Sequence, residues 1–361
     1  MLIANYQDTD FSSRLLAWYD IHRRTLPWRG NRDPYVIWVS EIIFQQTRID
    51  QGMAYFTRFI NRFPDVQSLA DAPEDEVLRL WQGLGYYSRA RNLHEMAKWI
   101  RDHHNNRLPG TYEELILMKG VGDYTASCIS SICYGEPQAA VDGNVFRVLS
   151  RFYADDTPIS SSPARKHFKE LVQKLIDRDR PGDFNEAMMD LGATVCTPRS
   201  PSCSSCPLSR VCQAYRFDLT STLPVNARDQ KKIERVFNYL FYQSDNGLAI
   251  RKRQQKDVWQ GLYELPLVEG DLDSKELSQQ WRSLYGLDVT DLQEVRRLRH
   301  TLSHQIIEIR FFRLAPTKQS KEPDTIGSLL FTPDQEVNRY PFPQPVAEFL
   351  SEELKDYGLV F

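Results

Sequence analysis

Residues 115–126 read Leu-Ile-Leu-Met-Lys-Gly-Val-Gly-Asp-Tyr-Thr-Ala. The pattern predicts a helix, a tight turn at Gly120 and Gly122, and a second helix, which together form a helix-hairpin-helix. Two glycines let the backbone approach a phosphate closely, and the free N–H groups at the start of the second helix donate without sequence preference. An ordinary helix hairpin with a glycine turn has the same pattern, so that alternative stays open.

Helical spacing continues on both sides of this stretch. Apolar residues recur at intervals of three and four in residues 15–21, 36–63, 77–80 and 145–152. No part of the chain before residue 217 predicts a strand. Residues 1–216 therefore predict an all-α domain, and the polar, aperiodic residues 217–234 predict an interdomain connector.

The pattern changes after the connector. β-Branched and aromatic residues dominate 236–242, 248–250 and 307–314, which predicts strands. Helical patterns at 274–285 and 344–356 are interleaved with them. Residues 235–361 therefore predict an α+β domain, and a chain of 361 residues is long enough for a multidomain protein with two cores.

Composition restricts the class of protein. Hydrophobic residues make up 41% and charged residues 26%, and no apolar run approaches the roughly 20 residues that a membrane span needs. The first residues carry neither a basic flank nor an apolar signal core, so we expect a reducing, cytoplasmic location and no membrane contact. With a net charge of −3, any contact with nucleic acid must come from local groups.

Four of the six cysteines fall close together, at Cys196, Cys203, Cys206 and Cys212. Four soft thiolate ligands in a compact loop predict a metal or cluster site in a reducing compartment. The spacing suits both a [4Fe–4S] cluster and a tetrahedral zinc ion. The other two cysteines lie in an apolar stretch and are typical of core residues.

Two acidic residues lie in settings suited to acid–base chemistry. Glu41 lies in a helical run with apolar residues on most other faces, and Asp142 stands at the start of another apolar run. Taken singly, Glu41 is typical of a solvent-facing stripe, and Asp142 is typical of a helix N-cap. Together they could form a pair in which apolar surroundings raise the pKa of one carboxyl group while the other stays ionised.

Several motifs combine into a resemblance to a known family. They are Leu26-Pro27-Trp28, residues 38–47, 83–87, 141–145 and 184–192, the hairpin and the cysteine spacing. Over almost the whole first domain they closely resemble the adenine DNA glycosylase (MutY) family. That family belongs to the helix-hairpin-helix, endonuclease III-like superfamily, and the resemblance implies a [4Fe–4S] cluster in the cysteine loop.

The resemblance also implies catalytic roles. Glu41 would protonate adenine N7, and Asp142 would stabilise the sugar cation or capture it, as paired carboxylates do in glycosidases. Tyr124 falls where related glycosylase/lyases place a Schiff-base lysine, and a phenol cannot form that imine. A monofunctional glycosylase that leaves an abasic site is therefore expected.

Further residues match the family's substrate contacts. Asn144 and Glu186 match positions that support the acidic pair, and the adenine pocket would be lined by Arg24, Trp28 and Arg29. A base inside a duplex must be extruded before it can react, and Gln46 and Tyr86 match residues that wedge into the duplex. Tyr86 is equally typical of a core residue in an aromatic-rich helix.

The second domain resembles the family's C-terminal module, which is Nudix-like and helps to recognise 8-oxoguanine. Family members often carry Phe-Ser-His in the sensing loop, and here Leu302 precedes Ser303 and His304. The magnesium-binding positions of a Nudix hydrolase hold instead Gln279, Gln280, Ser283 and Leu284. Metal-dependent nucleotide hydrolysis is therefore not expected.

The resemblance implies a monomeric base excision repair enzyme, associated with the nucleoid in a bacterial cytoplasm. Its substrate would be double-stranded DNA with adenine opposite 8-oxoguanine or guanine. One alternative is a glycosylase of the same superfamily that acts on another mismatch or lesion, against which Tyr124 and the second domain count. The other is a lesion-binding protein without catalysis, against which Glu41 and Asp142 count.

Overall fold

The structure is a computed structural model that describes residues 10–161, 163–225, 232–287, 289, 291–314, 325–326 and 328–359. The chain divides into two compact units, each assembled from two segments. The first contains Met1–Asp71 and Asn92–Arg228, and the second contains Ala72–Arg91 and Asp229–Phe361. The limits 1–216, 217–234 and 235–361 stay a prediction, and the division adds that an early segment packs with the late residues.

The described residues up to 225 form helices and no strand, which confirms the all-α prediction. The helices are Phe11–His22 (α1), Pro34–Phe44 (α2), Ile49–Arg62 (α3), Val66–Asp71 (α4), Glu74–Leu80 (α5), Ser88–His104 (α6), Tyr112–Leu115 (α7), Asp123–Tyr134 (α8), Gly143–Tyr153 (α9), Ala164–Leu175 (α10), Pro181–Thr194 (α11) and Gln213–Arg216 (α12). Among the described helices, none is long and apolar enough to cross a bilayer.

One predicted helical run, 36–63, is divided in the structure. It breaks between α2 and α3, where Gln46 has a φ of 55°. A left-handed residue cannot continue a right-handed helix, because its Cβ crowds the following carbonyl group. The break places Gln46 on an exposed turn beside the end of α2.

Helices α1, α9, α10 and α11 share one apolar core in the first unit, with members such as Phe11, Phe168 and Phe184. The crossing of α9 and α11 is unusually close at Gly192, where an added Cβ would come within 2.4 Å of the Asn144 Cβ. No side chain larger than hydrogen fits there without movement of one helix. Gly192 therefore fixes how closely α11 approaches Asn144.

The second unit contains the strands. They are Ile233–Phe241 (β1), Gln243–Ser244 (β2), Gly247–Lys252 (β3), Tyr263–Glu264 (β4), Leu267–Glu269 (β5), Leu292–Thr301 (β6), Gln305–Leu314 (β7), Thr325–Ile326 (β8) and Leu329–Thr332 (β9), with helices Ser274–Tyr285 (α13) and Gln344–Glu353 (α14). One sheet has the order β5-β1-β7-β6, and β1 and β7 are parallel. The other has the order β2-β3-β9-β8, with β4 paired to β3. The α+β prediction is confirmed.

The early segment of the second unit is held by specific bonds. The Asp75 carboxylate accepts a bond from Lys252 Nζ at 2.6 Å and another from the Tyr263 hydroxyl at 3.2 Å. The Gln82 side-chain oxygen accepts a bond from the Phe342 backbone N–H at 3.1 Å. These contacts join residues 72–91 to strands β3 and β4 and to the turn before α14.

Candidate active site

One cavity of the first unit gathers most of the predicted site residues. Its lining includes Arg24, Trp28, Arg29, Glu41, Gln46, Tyr124, Asp142, Asn144 and Glu186. They come from α2, α8, α9, α11 and the loop after α1. Residues that are far apart in the sequence therefore share one concave surface, which is where a small reacting group can be enclosed.

Glu41 lies on α2 at the wall of this cavity, flanked by the buried Ile42 and Ile43. Burial raises the pKa of Glu41 to about 7, while a Tyr124 hydrogen bond and the Arg29 charge act to lower it. The solvent-facing alternative for Glu41 is wrong, because the side chain is partly buried and faces the cavity. A carboxyl group with this pKa can hold a proton at neutral pH and release it to a substrate.

Asp142 is the N-cap of α9, as the simpler interpretation predicted. Its carboxylate accepts a bond from the Val145 backbone N–H at 2.8 Å and another from Asn144 Nδ2 at 2.7 Å. The same carboxylate lines the cavity. The two donors hold the Asp142 carboxyl group in one orientation, so capping α9 and lining the cavity are compatible.

Arg147, which the sequence did not single out, supports this arrangement from behind. Its guanidinium donates to Asn144 Oδ1 at 2.8 Å, to the Gly192 carbonyl oxygen at 2.7 Å and to the Cys196 carbonyl oxygen at 2.7 Å. Arg147 is 9% exposed. It therefore connects the residue that holds Asp142 to the backbone of the cysteine loop.

A buried ion-pair network forms another side of the cavity. Arg29 bonds Glu186 at 2.7 Å and Asp190 at 2.9 Å, and Arg24 bonds Asp190 at 2.7 Å. The Tyr19 hydroxyl donates to Glu186 at 2.6 Å. Asp190 and Tyr19 were not predicted. The signal for Asp190 was its place one helical turn after Glu186, which puts both carboxylates on one face of α11.

The remaining lining residues differ in character. Trp28 is 6% exposed, with its ring centroid 4.5 Å from Phe44 and 5.0 Å from Phe56. The Tyr124 hydroxyl donates to Met189 Sδ at 3.2 Å. Burial raises the pKa of Tyr124 well above its ordinary value, so it stays a neutral phenol. The cavity thus combines an aromatic wall with a wall of paired charges.

The four cysteines of the loop line a second cavity of the first unit. Arg151, which is 2% exposed, donates to Cys196 Sγ at 3.4 Å and to the Thr197 carbonyl oxygen at 2.7 Å. Burial raises the pKa of Cys206 to about 12. A thiol in such buried surroundings becomes a thiolate only when positive charge lies nearby. The four sulfur atoms and the buried Arg151 guanidinium therefore fit an iron–sulfur or zinc group, whose metal ions would supply that charge. In the described residues, no three His, Cys, Asp or Glu side chains converge on one ion position.

The predicted hairpin is confirmed. Gly120 has a φ of 84°, and an added Cβ would come within 2.8 Å of the Asn92 Cβ. Gly122 is the N-cap of α8 and has open space where a side chain would be. Both glycines are exposed, and Leu117 beside them is 83% exposed. The backbone of the turn is therefore accessible from solvent.

The second unit holds the remaining predicted residues. Tyr86, Ser303 and His304 line one cavity of that unit. Ser303 and His304 lie at the turn between β6 and β7, and their side chains approach within 3.2 Å. Tyr86 lies in the loop between α5 and α6, with a φ of 48° and 46% of its surface exposed. The core-packing alternative for Tyr86 is therefore wrong.

Two family models match the chain. The model for the HhH-GPD superfamily base excision DNA repair protein covers residues 39–174, and the model for the NUDIX domain covers residues 238–352.

Curated relatives carry the name adenine DNA glycosylase. The protein of Buchnera aphidicola subsp. Baizongia pistaciae is 33% identical over 309 residues, covering 83% of this chain and 84% of that protein. The Mus musculus protein is 46% identical over 217 residues, covering 58% of this chain and 42% of that protein. This chain therefore matches less than half the length of the mouse relative and most of the length of the Buchnera one.

Solved structures agree with the fold of the first unit. A thermostable thymine-DNA glycosylase aligns with a TM-score of 0.53 and 28% identity, covering 58% of this chain and 97% of its own. A non-covalent endonuclease III–DNA complex aligns with a TM-score of 0.50 and 21% identity, covering 60% of this chain and 99% of its own. The second likeness concerns the fold alone.

Proposed function

This chain belongs to the adenine DNA glycosylase family, and we propose that it hydrolyses the N-glycosidic bond of adenine opposite 8-oxoguanine or guanine in duplex DNA. The observation that carries the proposal is the pair of unlike carboxyl groups in one cavity. Burial raises the pKa of Glu41 to about 7, and the Asp142 side chain accepts hydrogen bonds from Val145 and Asn144 that fix its orientation. An acid and an anion are the two groups that glycoside cleavage requires.

Each carboxyl group acts on a different part of the nucleotide. Glu41 gives its proton to adenine N7, so the base departs as a neutral molecule. Asp142 faces the positive charge that develops on the sugar and stabilises it, either as an ion pair or by a transient bond. Asn144 and Arg147 hold the Asp142 carboxylate in place before the charge appears.

The extruded adenine fits the cavity between the two unlike walls. Trp28 offers an aromatic surface, and Arg24, Arg29 and Glu186 offer fixed polar groups for the edge of the base. Because these charges are already paired, the wall is ordered before the base arrives. Ordered polar groups discriminate between bases at a low entropic cost.

Tyr124 makes the enzyme monofunctional. A lyase step needs an amine that forms an imine with the sugar, and this position holds a phenol that burial keeps protonated. The product is an abasic site in an unbroken strand.

The DNA partner is held mainly through its backbone. The exposed turn at Gly120 and Gly122 presents the N–H groups at the start of α8 to a phosphate. Gln46 and Tyr86 lie on exposed turns with left-handed φ values and would enter the duplex when the base leaves it. The protein acts as a monomer on double-stranded DNA.

The second unit recognises the oxidised guanine. Ser303 and His304 at the β6–β7 turn offer hydrogen-bonding groups in the cavity that Tyr86 also lines. Leu302 stands where family members often have a phenylalanine, so it offers no aromatic surface to the base. Ser303 and His304 therefore carry the recognition.

The cysteine loop would hold a [4Fe–4S] cluster through Cys196, Cys203, Cys206 and Cys212. The spacing and the cavity suit zinc as well, and family membership favours the cluster. When bound, the cluster supplies positive charge that keeps the thiolates ionised and orders the loop beneath Arg147. The purified protein should contain about four iron and four acid-labile sulfide per chain, and one zinc per chain without sulfide would overturn this assignment.

Single-turnover excision tests the function. Duplexes with adenine opposite 8-oxoguanine, guanine or thymine, and one with thymine opposite guanine, are incubated with excess protein, and free base is measured. We expect adenine release opposite 8-oxoguanine and guanine, with strand breaks only after alkali. Glu41→Gln should lower the rate about 100-fold or more, because it removes the general acid.

Other outcomes would redirect the proposal. Release of thymine instead of adenine would indicate a different glycosylase of the same superfamily. Tight binding without release of any base by cluster-loaded protein would indicate a lesion-binding protein.

A further inference from the structure

The Tyr124 hydroxyl has a surprisingly weak acceptor. It donates to Met189 Sδ at 3.2 Å, although a thioether sulfur is a poor acceptor. Met189 lies on α11, is 8% exposed and lines the active-site cavity. The Cys128 thiol, one turn after Tyr124 on α8, is fully buried and also contacts the phenol. The Tyr124 hydroxyl therefore bonds one sulfur atom and has a second sulfur-bearing side chain one turn along its own helix.

The Glu41 carboxyl group lines the same cavity as Tyr124 and Met189, and hydrogen bonding by Tyr124 acts to lower the Glu41 pKa. A phenol has one proton to donate. A bond to a carboxylate is about twice as strong as one between neutral groups, so an ionised Glu41 takes the phenol proton in its hydrogen bond. A protonated Glu41 can instead donate to the phenol oxygen, provided that the phenol proton has another acceptor.

We infer that Met189 is that acceptor, a positioning residue whose thioether holds the Tyr124 hydroxyl proton while Glu41 is protonated. When Glu41 gives its proton to the base, the Tyr124 O–H turns from sulfur to the new carboxylate. Only the Glu41 carboxyl proton is transferred, and the phenol proton stays on the Tyr124 oxygen. The inference rests on the proposed function only for the statement that adenine receives the Glu41 proton. The role of Met189 as acceptor rests on the structure.

The consequence is that the sulfur stabilises the protonated form of Glu41. Without it, a protonated Glu41 leaves the phenol proton poorly bonded, whereas an ionised Glu41 is unaffected. The other charged groups that act on Glu41 are Arg29, Glu186 and Asp142. A change at Met189 adds or removes no charge, so it can shift the Glu41 pKa only through the phenol or through burial, and a Tyr124→Phe background separates these two routes.

Met189→Leu tests this role, because leucine keeps a similar volume and removes the acceptor. We expect the Glu41 pKa to fall by about half to one unit, as loss of one weak hydrogen bond predicts. The ratio of single-turnover rates at pH 8 and pH 5.5 should fall about 3- to 10-fold. A purely structural defect would lower both rates and leave the ratio unchanged.

Two controls isolate the phenol. Met188→Leu alters the neighbouring methionine, which is fully buried in the core of the first unit, and should keep the wild-type ratio. In a Tyr124→Phe background, Met189→Leu should cause no further shift. A shift of equal size in both backgrounds would overturn the inference.

A direct titration separates this inference from the proposed function. Protein labelled with ¹³C at glutamate carboxyl carbons is titrated by NMR, and the Glu41 signal is identified by its loss in Glu41→Gln. A lower Glu41 pKa in Met189→Leu supports the sulfur role even if no adenine is released, which would sink the function alone. An unchanged Glu41 pKa sinks the sulfur role even in an active enzyme.

Discussion

At the scale of single residues, Glu41 and Asp142 show how different surroundings give two similar side chains different roles. Glu41 lies on α2 at the wall of the cavity, and burial raises its pKa to about 7. Asp142 receives bonds from the Asn144 side chain and the Val145 backbone N–H, which fix its orientation at the start of α9. The two carboxyl groups are chemically alike, so their different roles come from their surroundings: burial raises the pKa of Glu41, and two donors orient Asp142.

The raised pKa of Glu41 also makes folding depend on pH. The fold binds this proton more tightly than the unfolded chain, so ionisation of Glu41 costs stability between pH 4.5 and about 7, and the whole cost is present above that range. Glu41→Gln should therefore raise the free energy of unfolding by about 1–2 kcal/mol at pH 8 and by little at pH 4. Urea unfolding at both pH values measures this, and an equal gain at both would contradict it.

Asp142 combines two roles that substitution can separate. Asparagine is a good N-cap but carries no charge, so Asp142→Asn should abolish excision and change stability by less than about 0.5 kcal/mol. Asp142→Ala should abolish excision and also cost about 1 kcal/mol, because the Val145 N–H loses its cap. Thermal unfolding and single-turnover assays compare the two, and an active Asp142→Asn would remove the carboxylate from the mechanism.

At the scale of elements, the hairpin between α7 and α8 depends on one of its two glycines. Gly120→Ala should cost about 1–3 kcal/mol, because φ is 84° and the Cβ would meet Asn92. Gly122→Ala is the matched control, since space is open there and φ is −93°, and it should change stability by less than about 0.5 kcal/mol. Equal losses in chemical unfolding would show that the turn geometry is not the cause.

Elements were predictable where their signals are local. The glycine turn, the N-cap at Asp142 and α13 with its Asp273 cap are each specified within a few residues. Strand β6 was missed because its residues are mostly polar and exposed, so it lacks the run of apolar β-branched and aromatic residues that predicts a strand. Arg147 and Asp190 were missed because their partners are distant in the sequence: Arg147 bonds the Cys196 carbonyl oxygen in the cysteine loop, and Asp190 bonds Arg24 in the loop after α1.

At the scale of the whole molecule, the proposed function assigns the two bases of the mispair to different units. The acidic pair belongs to the first unit, and Ser303 and His304 belong to the second. A chain with a net charge of −3 is not drawn to DNA by its overall field, so discrimination depends on such local groups.

The division of labour predicts a selective defect. Combined Ser303→Ala and His304→Ala should reduce the preference for adenine opposite 8-oxoguanine over adenine opposite guanine by about 10-fold or more, since each lost hydrogen bond to a base costs about 1 kcal/mol or more. Single-turnover rates on both duplexes give the preference. If both rates fell equally, the turn would have no part in recognising the lesion.

Because the second unit is assembled from two separate segments of the chain, its parts cannot all fold at the same stage of synthesis. Ala72–Arg91 leaves the ribosome long before strands β3 and β4, with which Asp75 bonds. Domains generally fold as units as the chain emerges. The first unit can therefore fold before the strands that bond residues 72–91 have been synthesised. The segment that carries Tyr86 acquires its last bond only after Phe342 has been translated, and a product that terminated earlier would present the acidic pair without that support.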